Sequence, residues 1–217
     1  MMMNLFNIFD PSTTILNLQI NWMSTLLSII LIPNMIWILP NRFKLLKMKI
    51  LMFMNNEIML LYKNKNIKSP SFMFINLFLI ILLNNFLSLF PYIFSSSSHM
   101  VFSLTLAMPF WMFFILMSTF KNFNNMIAHL IPINTPMMLA PFMVLIETTS
   151  ILIRPMSLAI RLTANLIAGH LLMTLLNFNS MLMIIILIQM FLMMFELCVA
   201  IIQSYVFSIL SSLYAKE

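Results

Sequence analysis

Five long apolar segments, separated by short polar stretches, dominate the pattern of this chain. Several contain no charged residue and reach about twenty residues, the length that a helix needs to cross the hydrocarbon core of a bilayer. The pattern therefore predicts an all-α integral membrane protein, organised as a single membrane domain over residues 1–217. The predicted spans are 15–39, 72–90, 100–120, 136–176 and 181–213.

The stretch 42–68, between the first two spans, has a different pattern. It is apolar in its middle and carries lysine or arginine at both ends. Such a distribution is typical of an amphipathic helix that lies in the membrane interface instead of crossing it. The predicted fold is therefore five membrane helices plus one interfacial amphipathic helix.

The last two spans are too long to stand upright in a bilayer. The fourth covers about 41 residues, or roughly 60 Å of helix, whereas a bilayer core is about 30 Å thick. It must therefore lie strongly tilted, or bend at Pro141 or Pro155. Because a short polar turn joins it to an equally overlong fifth span, the two are predicted to form a long, strongly tilted hairpin.

Composition supports the membrane class and narrows the possible partners. Hydrophobic residues make up 62% of the chain, 7% of residues are charged, and the mean hydropathy is +1.04. The formal net charge is +6, but seven of the eleven lysines and arginines lie in 42–68, which suits anionic lipid headgroups better than nucleic acid. The single cysteine, Cys198, excludes an intrachain disulfide. The 25 methionines and single glycine indicate an AT-rich genome that reads extra codons as methionine, as in animal mitochondria.

The positive charges predict an orientation. With the N-terminus outside and the C-terminus inside, nine of the eleven basic residues fall on the inner side, and the other two, Arg154 and Arg161, lie within the fourth span. The start of the chain has neither the pattern of a secretory signal nor that of a transit peptide, so the first span is expected to be retained.

Polar residues inside the last two spans are the candidate functional groups. An arginine cannot become neutral, so Arg161 in an apolar span marks a polar cavity or a partner. At 100° per residue, Glu147, Arg154, Arg161 and Asn165 fall within about 40° of one another, while His170 points to the opposite face. In the fifth span, Glu196 and Gln203 share a face. We expect no chemical role for Lys121, His99 and His129, which are predicted to lie in loops.

Two registers of the hairpin are possible. A turn centred on 177–180 places Glu196 level with Arg161 and Gln203 level with Arg154. A centre about four residues later places Gln203 level with Arg161, and Glu196 level with His170. We favour the second register, because it leaves the arginine free to attract another carboxylate and it couples two titratable groups.

The residues that carry these features resemble a known family. The stretch LIETTSILIRPMSLAIRLTANLIAGHLL and the last-span sequence FELCVAIIQSYVF are similar to subunit a of the F-type ATP synthase, in its mitochondrially encoded form, ATP synthase subunit 6. The resemblance is specific over 132–214 and weaker before it. It implies a proton-translocating stator subunit of the membrane sector, located in the mitochondrial inner membrane with its N-terminus in the intermembrane space and its C-terminus in the matrix.

The resemblance implies a role for each matched position. Arg161 matches the arginine that faces the carboxylates of the rotating c-ring, and Gln203 and Asn165 match the polar residues close to it. His170 and Glu196 match the pair in the inlet half-channel. Glu147, and more weakly Glu217, match acidic residues of the matrix-side outlet. Arg154 departs from the family, where a neutral glutamine is expected, and its predicted role is to pair with Glu147 and tune the outlet.

The same resemblance implies partners but no cofactor. The expected partners are the c-ring, the peripheral stalk and other subunits of the synthase, the lipid bilayer and protons. Neither the single Gly169 nor any cysteine or histidine motif suggests a nucleotide, catalytic or metal site on this chain. Two other functions remain open: a secondary transporter in which Arg161 binds an anionic solute, and a structural subunit whose polar residues only pack.

Overall fold

The predicted helices are present, with ends close to those expected from the hydropathy pattern. The computed structural model describes residues 5–13, 18–32, 41–61, 69–90, 93–121, 123–131, 136–178 and 183–214. Over these residues the chain is helical and contains no strand. Its α-helices are α1 (Ser24–Ile30), α2 (Arg42–Leu61), α3 (Ser69–Ser88), α4 (Met100–Lys121), α5 (Phe123–His129), α6 (Ala140–Phe178) and α7 (Met183–Tyr214).

Four of these helices are long and apolar enough to cross a membrane. Their apolar stretches are Ser71–Ser88, Met100–Phe120, Met137–Leu176 and Ile185–Leu213. These ranges confirm four of the predicted spans to within four residues. In the first predicted span, 15–39, the described helix comprises a 3₁₀ turn, Ile20–Met23, and α1. Residues 14–17 and 33–40 lie outside the described part of the chain, so the count of five spans stays a prediction.

The proline positions explain where the long helices begin. Pro70 and Pro141 stand in the first turns of α3 and α6, where the missing N–H costs no helical hydrogen bond. Pro155 lies inside α6, yet that helix runs without interruption for 39 residues.

Lys121 and His129, which we expected in loops, are instead the last residues of α4 and α5.

The core lies where α3, α4, α6 and α7 meet. Helix α3 packs chiefly against α7, and α4 packs chiefly against α6. Serines on α7, such as Ser204 and Ser208, are fully buried. Their hydroxyl groups donate hydrogen bonds to the backbone carbonyls three residues earlier, those of Ile201 and Tyr205. Small side chains of this kind let two helices approach closely where no hydrophobic effect drives them together. Apolar residues fill the rest of this core: Leu77, Ile81, Ala107, Leu158, Ala159, Leu162, Leu166 and Phe207.

The predicted interfacial segment is helical over Arg42–Leu61, and residues 62–68 lie outside the described part. Helix α2 buries Met54 and Ile58 against Phe74 and Phe78 of α3. Its other face leaves large apolar side chains exposed, together with the basic residues of its first turns. One side of this helix therefore belongs to the bundle, and the other is free to meet lipid.

Candidate functional site

Arg161 lies near the middle of α6 and faces away from the bundle. Its neighbours Ala159 and Leu162 are fully buried, whereas Arg161 itself is exposed. It has no ion-pair partner among the residues that the structure describes. A guanidinium on an outward apolar surface is costly in lipid unless a partner with a negative charge faces it. The surface around Arg161 is therefore suited to receive an acidic partner.

Asn165 and Gln203 form a polar contact one turn from the arginine. The Nδ2 atom of Asn165 donates a hydrogen bond of 3.3 Å to Oε1 of Gln203, across the hairpin. Gln203 is almost fully buried, and its Nε2 atom has no hydrogen-bond partner within the described residues. This contact joins α6 to α7 next to Arg161, and it leaves one amide donor available.

Glu196 lies against the only glycine of the chain. A Cβ atom placed on Gly169 would come within 2.8 Å of the carboxyl carbon of Glu196 and within 2.9 Å of its Oε1. The absence of a side chain at position 169 is therefore what admits the carboxyl group between the two helices. Carboxylates are rarely found this deep in an apolar bundle without a function.

The cross-hairpin contacts decide the register. Gln203 meets Asn165 and Glu196 meets Gly169, which matches the second register to within one helical turn. The first register would have placed Glu196 beside Arg161, eight residues or roughly 12 Å further along α6. The structure therefore keeps the acidic residue and the arginine apart.

The surroundings of His170 come from three parts of the chain. The backbone of Ser88, at the end of α3, hydrogen-bonds its ring. Phe9, in the 3₁₀ helix Leu5–Phe9, presents its ring edge-on to the imidazole at a centroid distance of 6.0 Å. The Nε2 atom of His170 and the Oε1 atom of Glu196 are both buried, and neither has a hydrogen-bond partner in the described chain. These two atoms are therefore not hydrogen-bonded to each other.

Other buried polar atoms without partners gather at the same end of the bundle. Within the described residues they are the two amide atoms of Asn85, Oγ of Ser97 and Nε2 of His99. Ser97 belongs to a short 3₁₀ turn, Ser96–Ser98, that contacts α3, α4 and α6. We call this end of the molecule the serine end. Because buried polar groups almost always have a hydrogen-bond partner, these atoms mark a polar region at one end of an otherwise apolar bundle.

Our reading of the sequence missed this cluster. Asn85 is fully buried in an apolar helix, and the run Ser95–Ser98 is buried throughout. An Asn-Asn pair within a membrane span, followed by four serines, was the signal that could have revealed it. His99 does lie in the loop before α4, as predicted, but it contributes a buried nitrogen to the cluster.

Glu147 and Arg154 form an ion pair in the first half of α6. The Nη2 atom of Arg154 lies 3.7 Å from Oε1 of Glu147, with 32% and 41% of the respective side chains exposed. This pair confirms the predicted shared stripe, since residues seven apart meet on one face of a helix. Glu217, the other predicted outlet residue, lies outside the described residues.

Two polar regions therefore flank Arg161 along one helix. Glu147 and His170 are separated by roughly 35 Å of helix, which is about the thickness of a bilayer core. Arg161 lies between them, on the face of Glu147, whereas His170 points to another face. No group of three or more histidine, cysteine, aspartate or glutamate side chains within the described residues is arranged to hold a metal ion.

Comparison with known proteins identifies the family. The profile of the ATP synthase A chain family matches residues 6–216. The chain belongs to this family. It is 73% identical to the ATP synthase F(0) complex subunit a of Rhopalosiphum padi over 214 residues, which cover 99% of both chains. It is 50% identical to ATP synthase subunit a of Aedes aegypti and 48% identical to that of Locusta migratoria, each over the whole chain and 99% of the relative.

Membership of the ATP synthase A chain family establishes the general function of the chain. The chain is a multi-pass membrane protein of the synthase's membrane sector, and it takes part in proton transport and ATP synthesis. The proposed identification from the residues around Arg161 is thereby confirmed. The transporter and purely structural alternatives are set aside, while the roles of the individual residues remain to be argued from the geometry.

Proposed function

We propose that this chain is the stator subunit that carries protons to and from a rotating c-ring through two offset half-channels, with Arg161 between them. The observation that carries this proposal is the exposed Arg161 on an outward helix face, which has no ion-pair partner in the described part of the chain and is flanked by polar regions at opposite ends of the bundle. A continuous pore would need its polar groups on one shared surface. The offset of these groups instead requires a second component to carry the proton across.

The rotor supplies that component in the proposed mechanism. Each rotor carboxyl crosses the lipid face protonated, because a bare charge there is costly. Opposite Arg161 the ionised form is favoured by the nearby positive charge, so the proton is released there. The fixed guanidinium also repels protons, which prevents direct flow between the two half-channels. A membrane potential contributes about 2.3 kcal/mol per charge for each 100 mV.

The inlet half-channel is proposed at the serine end. His170 and Glu196 are its protonatable groups, and water held by Asn85 and Ser97 connects them. Support comes from the buried atoms without partners, which lie between α3, the serine turn, α6 and α7. Asn165 and Gln203 would align the water between Glu196 and the arginine.

The outlet half-channel is proposed at the other end of α6. Glu147 would receive the released proton, with Glu217 near the exit. The distribution of lysines and arginines supports an orientation with this end in the matrix and the serine end in the intermembrane space. The chain would then lie in the mitochondrial inner membrane, with its N-terminus in the intermembrane space and its C-terminus in the matrix. It would have no catalytic site of its own, and nucleotides would bind other subunits.

Replacing Arg154 with glutamine tests the outlet. The substitution removes the ion pair with Glu147 but keeps a polar side chain of similar length. Because the pair is partly exposed and therefore weak, we expect ATP synthesis to change by only about threefold, with a larger effect at low ionic strength. Proton flux into the matrix, measured with a pH dye in oriented vesicles, reports the effect. A flux that matches the parent at every salt concentration would remove the proposed tuning role.

A separate experiment tests whether this chain assembles with a c-ring and the other subunits of the synthase. The complex should be extracted from its native membrane in mild detergent and its components identified by mass spectrometry. We expect this chain to be recovered with an oligomeric proteolipid ring, a peripheral stalk and a soluble ATPase. Recovery of the chain alone, or with unrelated membrane proteins, would contradict the proposal that it works against a rotating ring.

A further inference from the structure

His99 occupies an unusual position at the serine end. Its ring is half-buried, yet its Nε2 atom is shielded from solvent and has no hydrogen-bond partner among the described residues. The imidazole therefore reaches from the surface of the molecule towards the interior. A histidine that only packs in a loop would be expected to have both ring nitrogens in water or bonded to the protein.

Aromatic rings hold this imidazole in place. Phe94 stacks on it at a centroid distance of 5.2 Å and an interplanar angle of 30°, and Trp22 lies 5.3 Å away on a tilted plane. Ser24 donates a hydrogen bond to the carbonyl oxygen of Phe94, which ties the start of α1 to the same loop. The faces of aromatic rings favour a positive charge, so this setting accommodates the imidazole in both its neutral and its protonated forms.

The backbone of His99 is also constrained. Its N–H donates to the carbonyl of Ser96, and its carbonyl accepts hydrogen bonds from Phe102 and Ser103 at the start of α4. The serine turn that precedes it contacts α6 and the end of α3. His99 is therefore fixed directly after the turn that carries Ser97, and that turn contacts the helix that carries Asn85.

The N-terminal segment contacts His170. The ring of Phe9 lies against His170, and Nε2 of that histidine is shielded from solvent. Asn21 donates a hydrogen bond to the backbone carbonyl of Asp10, the residue that follows Phe9. His170 and His99 are both half-buried, and each has an Nε2 atom that is shielded from solvent.

We propose that His99 is a proton-carrying residue at the mouth of the inlet half-channel. This inference rests on the proposed function of the serine end. The imidazole accepts a proton from the outer solution on one nitrogen and releases one into the water held by Ser97 and Asn85. Proton exchange with water or a ring flip restores the starting tautomer, so no net charge remains. The proton then passes to His170 and Glu196.

Few charged or titratable residues stand on the elements at this end of the bundle. Helix α6 carries His170, α7 carries Glu196 beside Gly169, and the N-terminal segment carries Asp10. Helix α3 and residues 20–32 contain no charged side chain, and the only charge on α4 is Lys121, its last residue. In the described loop 93–99, His99 is the one histidine or acidic residue.

The test compares His99→Gln with His129→Gln in assembled synthase reconstituted into oriented vesicles. Glutamine keeps a polar side chain but cannot carry a proton, and His129 ends α5 instead of lining the serine end. At an outer pH of about 7.5, where free protons are scarce, we expect His99→Gln to synthesise ATP about threefold to tenfold more slowly than the parent at equal driving force. At about pH 5.5 the two rates should converge, and His129→Gln should match the parent throughout. A His99→Gln profile that superimposes on that of the parent would overturn the proposal.

Two further measurements separate the possible failures. Hydrogen–deuterium exchange at histidine C2, measured by mass spectrometry on the unmodified complex, does not depend on assembly of a variant. We expect the C2 position of His99 to exchange with outer solvent, and exchange as slow as that of a histidine sealed from solvent would contradict its role. Arg161→Gln is assayed in parallel. If it still couples proton flow to synthesis, the proposed function itself fails, whatever the result for His99.

Discussion

Replacing Arg161 with glutamine is expected to stop ATP synthesis and to open a proton leak. In the proposed mechanism the exposed guanidinium meets the rotor carboxyl, and removing a preorganised group that stabilises a charge lowers rates by at least about 100-fold. Without the fixed positive charge, rotor sites would no longer be held ionised there, and protons could pass between the two polar regions. Synthesis should be measured in vesicles under an imposed proton gradient, and leak in the same vesicles after the soluble sector is removed.

Arg154→Gln is the matched control for this prediction. It makes the same chemical change seven residues away on the same helix face, where the arginine already has an acidic partner. We expect it to retain a rate of ATP synthesis within a few-fold of that of the parent, and we expect no proton leak through the membrane sector. Arg161→Lys keeps the charge but loses the planar guanidinium, so an intermediate activity is expected. Coupled synthesis at the parental rate in Arg161→Gln would refute the proposed role of this residue.

Replacing Glu196 with glutamine is expected to block the inlet half-channel without opening a leak. Glutamine fills nearly the same space against Gly169 but cannot accept and release a proton. Removing a positioned acid–base group lowers a rate by roughly 100-fold, and we expect a loss of that size in both synthesis and passive proton flow. The two large predictions thus differ in the direction in which passive proton flow changes. It rises in Arg161→Gln and falls in Glu196→Gln.

Two companion substitutions sharpen the test of Glu196. Glu57→Gln removes an acidic residue from α2, far in sequence from the hairpin, and should leave synthesis unchanged. Gly169→Ala keeps the carboxyl group but places a Cβ within 2.8 Å of it, so Glu196 must move. Since a long side chain can move at modest cost, the loss should be smaller than for Glu196→Gln. Passive proton flow in Glu196→Gln equal to that of the parent would show that the inlet lies elsewhere.

The spans and the polar stripe could be predicted because both depend on short-range properties of the chain. Hydropathy over about twenty residues located α3, α4, α6 and α7, whose apolar stretches match the predicted ranges. Helical periodicity placed Glu147 and Arg154 on one face, and the structure pairs them. The helical state of Lys121 and His129 was missed, because the last residues of a helix carry little periodic hydrophobic signal.

The contacts between helices were predictable only in part. The preferred register brought Gln203 and Glu196 to the correct level of α6, but the partners that they meet are Asn165 and Gly169. Rotation of each helix about its axis decides which side chains touch, and neither turn length nor hydropathy specifies that rotation. Glu196 lies level with the residue before His170, and the coupling of these two groups by proton transfer stays a prediction.

The sequence by itself determined the membrane class, the family, the positions of four spans and the presence of an arginine in an apolar helix. Each of these depends on residue type, local hydropathy or a continuous motif. The tertiary structure alone showed that Asn85, Ser97 and His99 all carry buried polar atoms without a hydrogen-bond partner in the described chain, because this depends on packing between segments that are distant along the chain. It also showed that Phe9 contacts His170 and that Glu196 lies against Gly169. These features arise from how helices pack, and packing depends on shape complementarity over long sequence separations rather than on any local pattern.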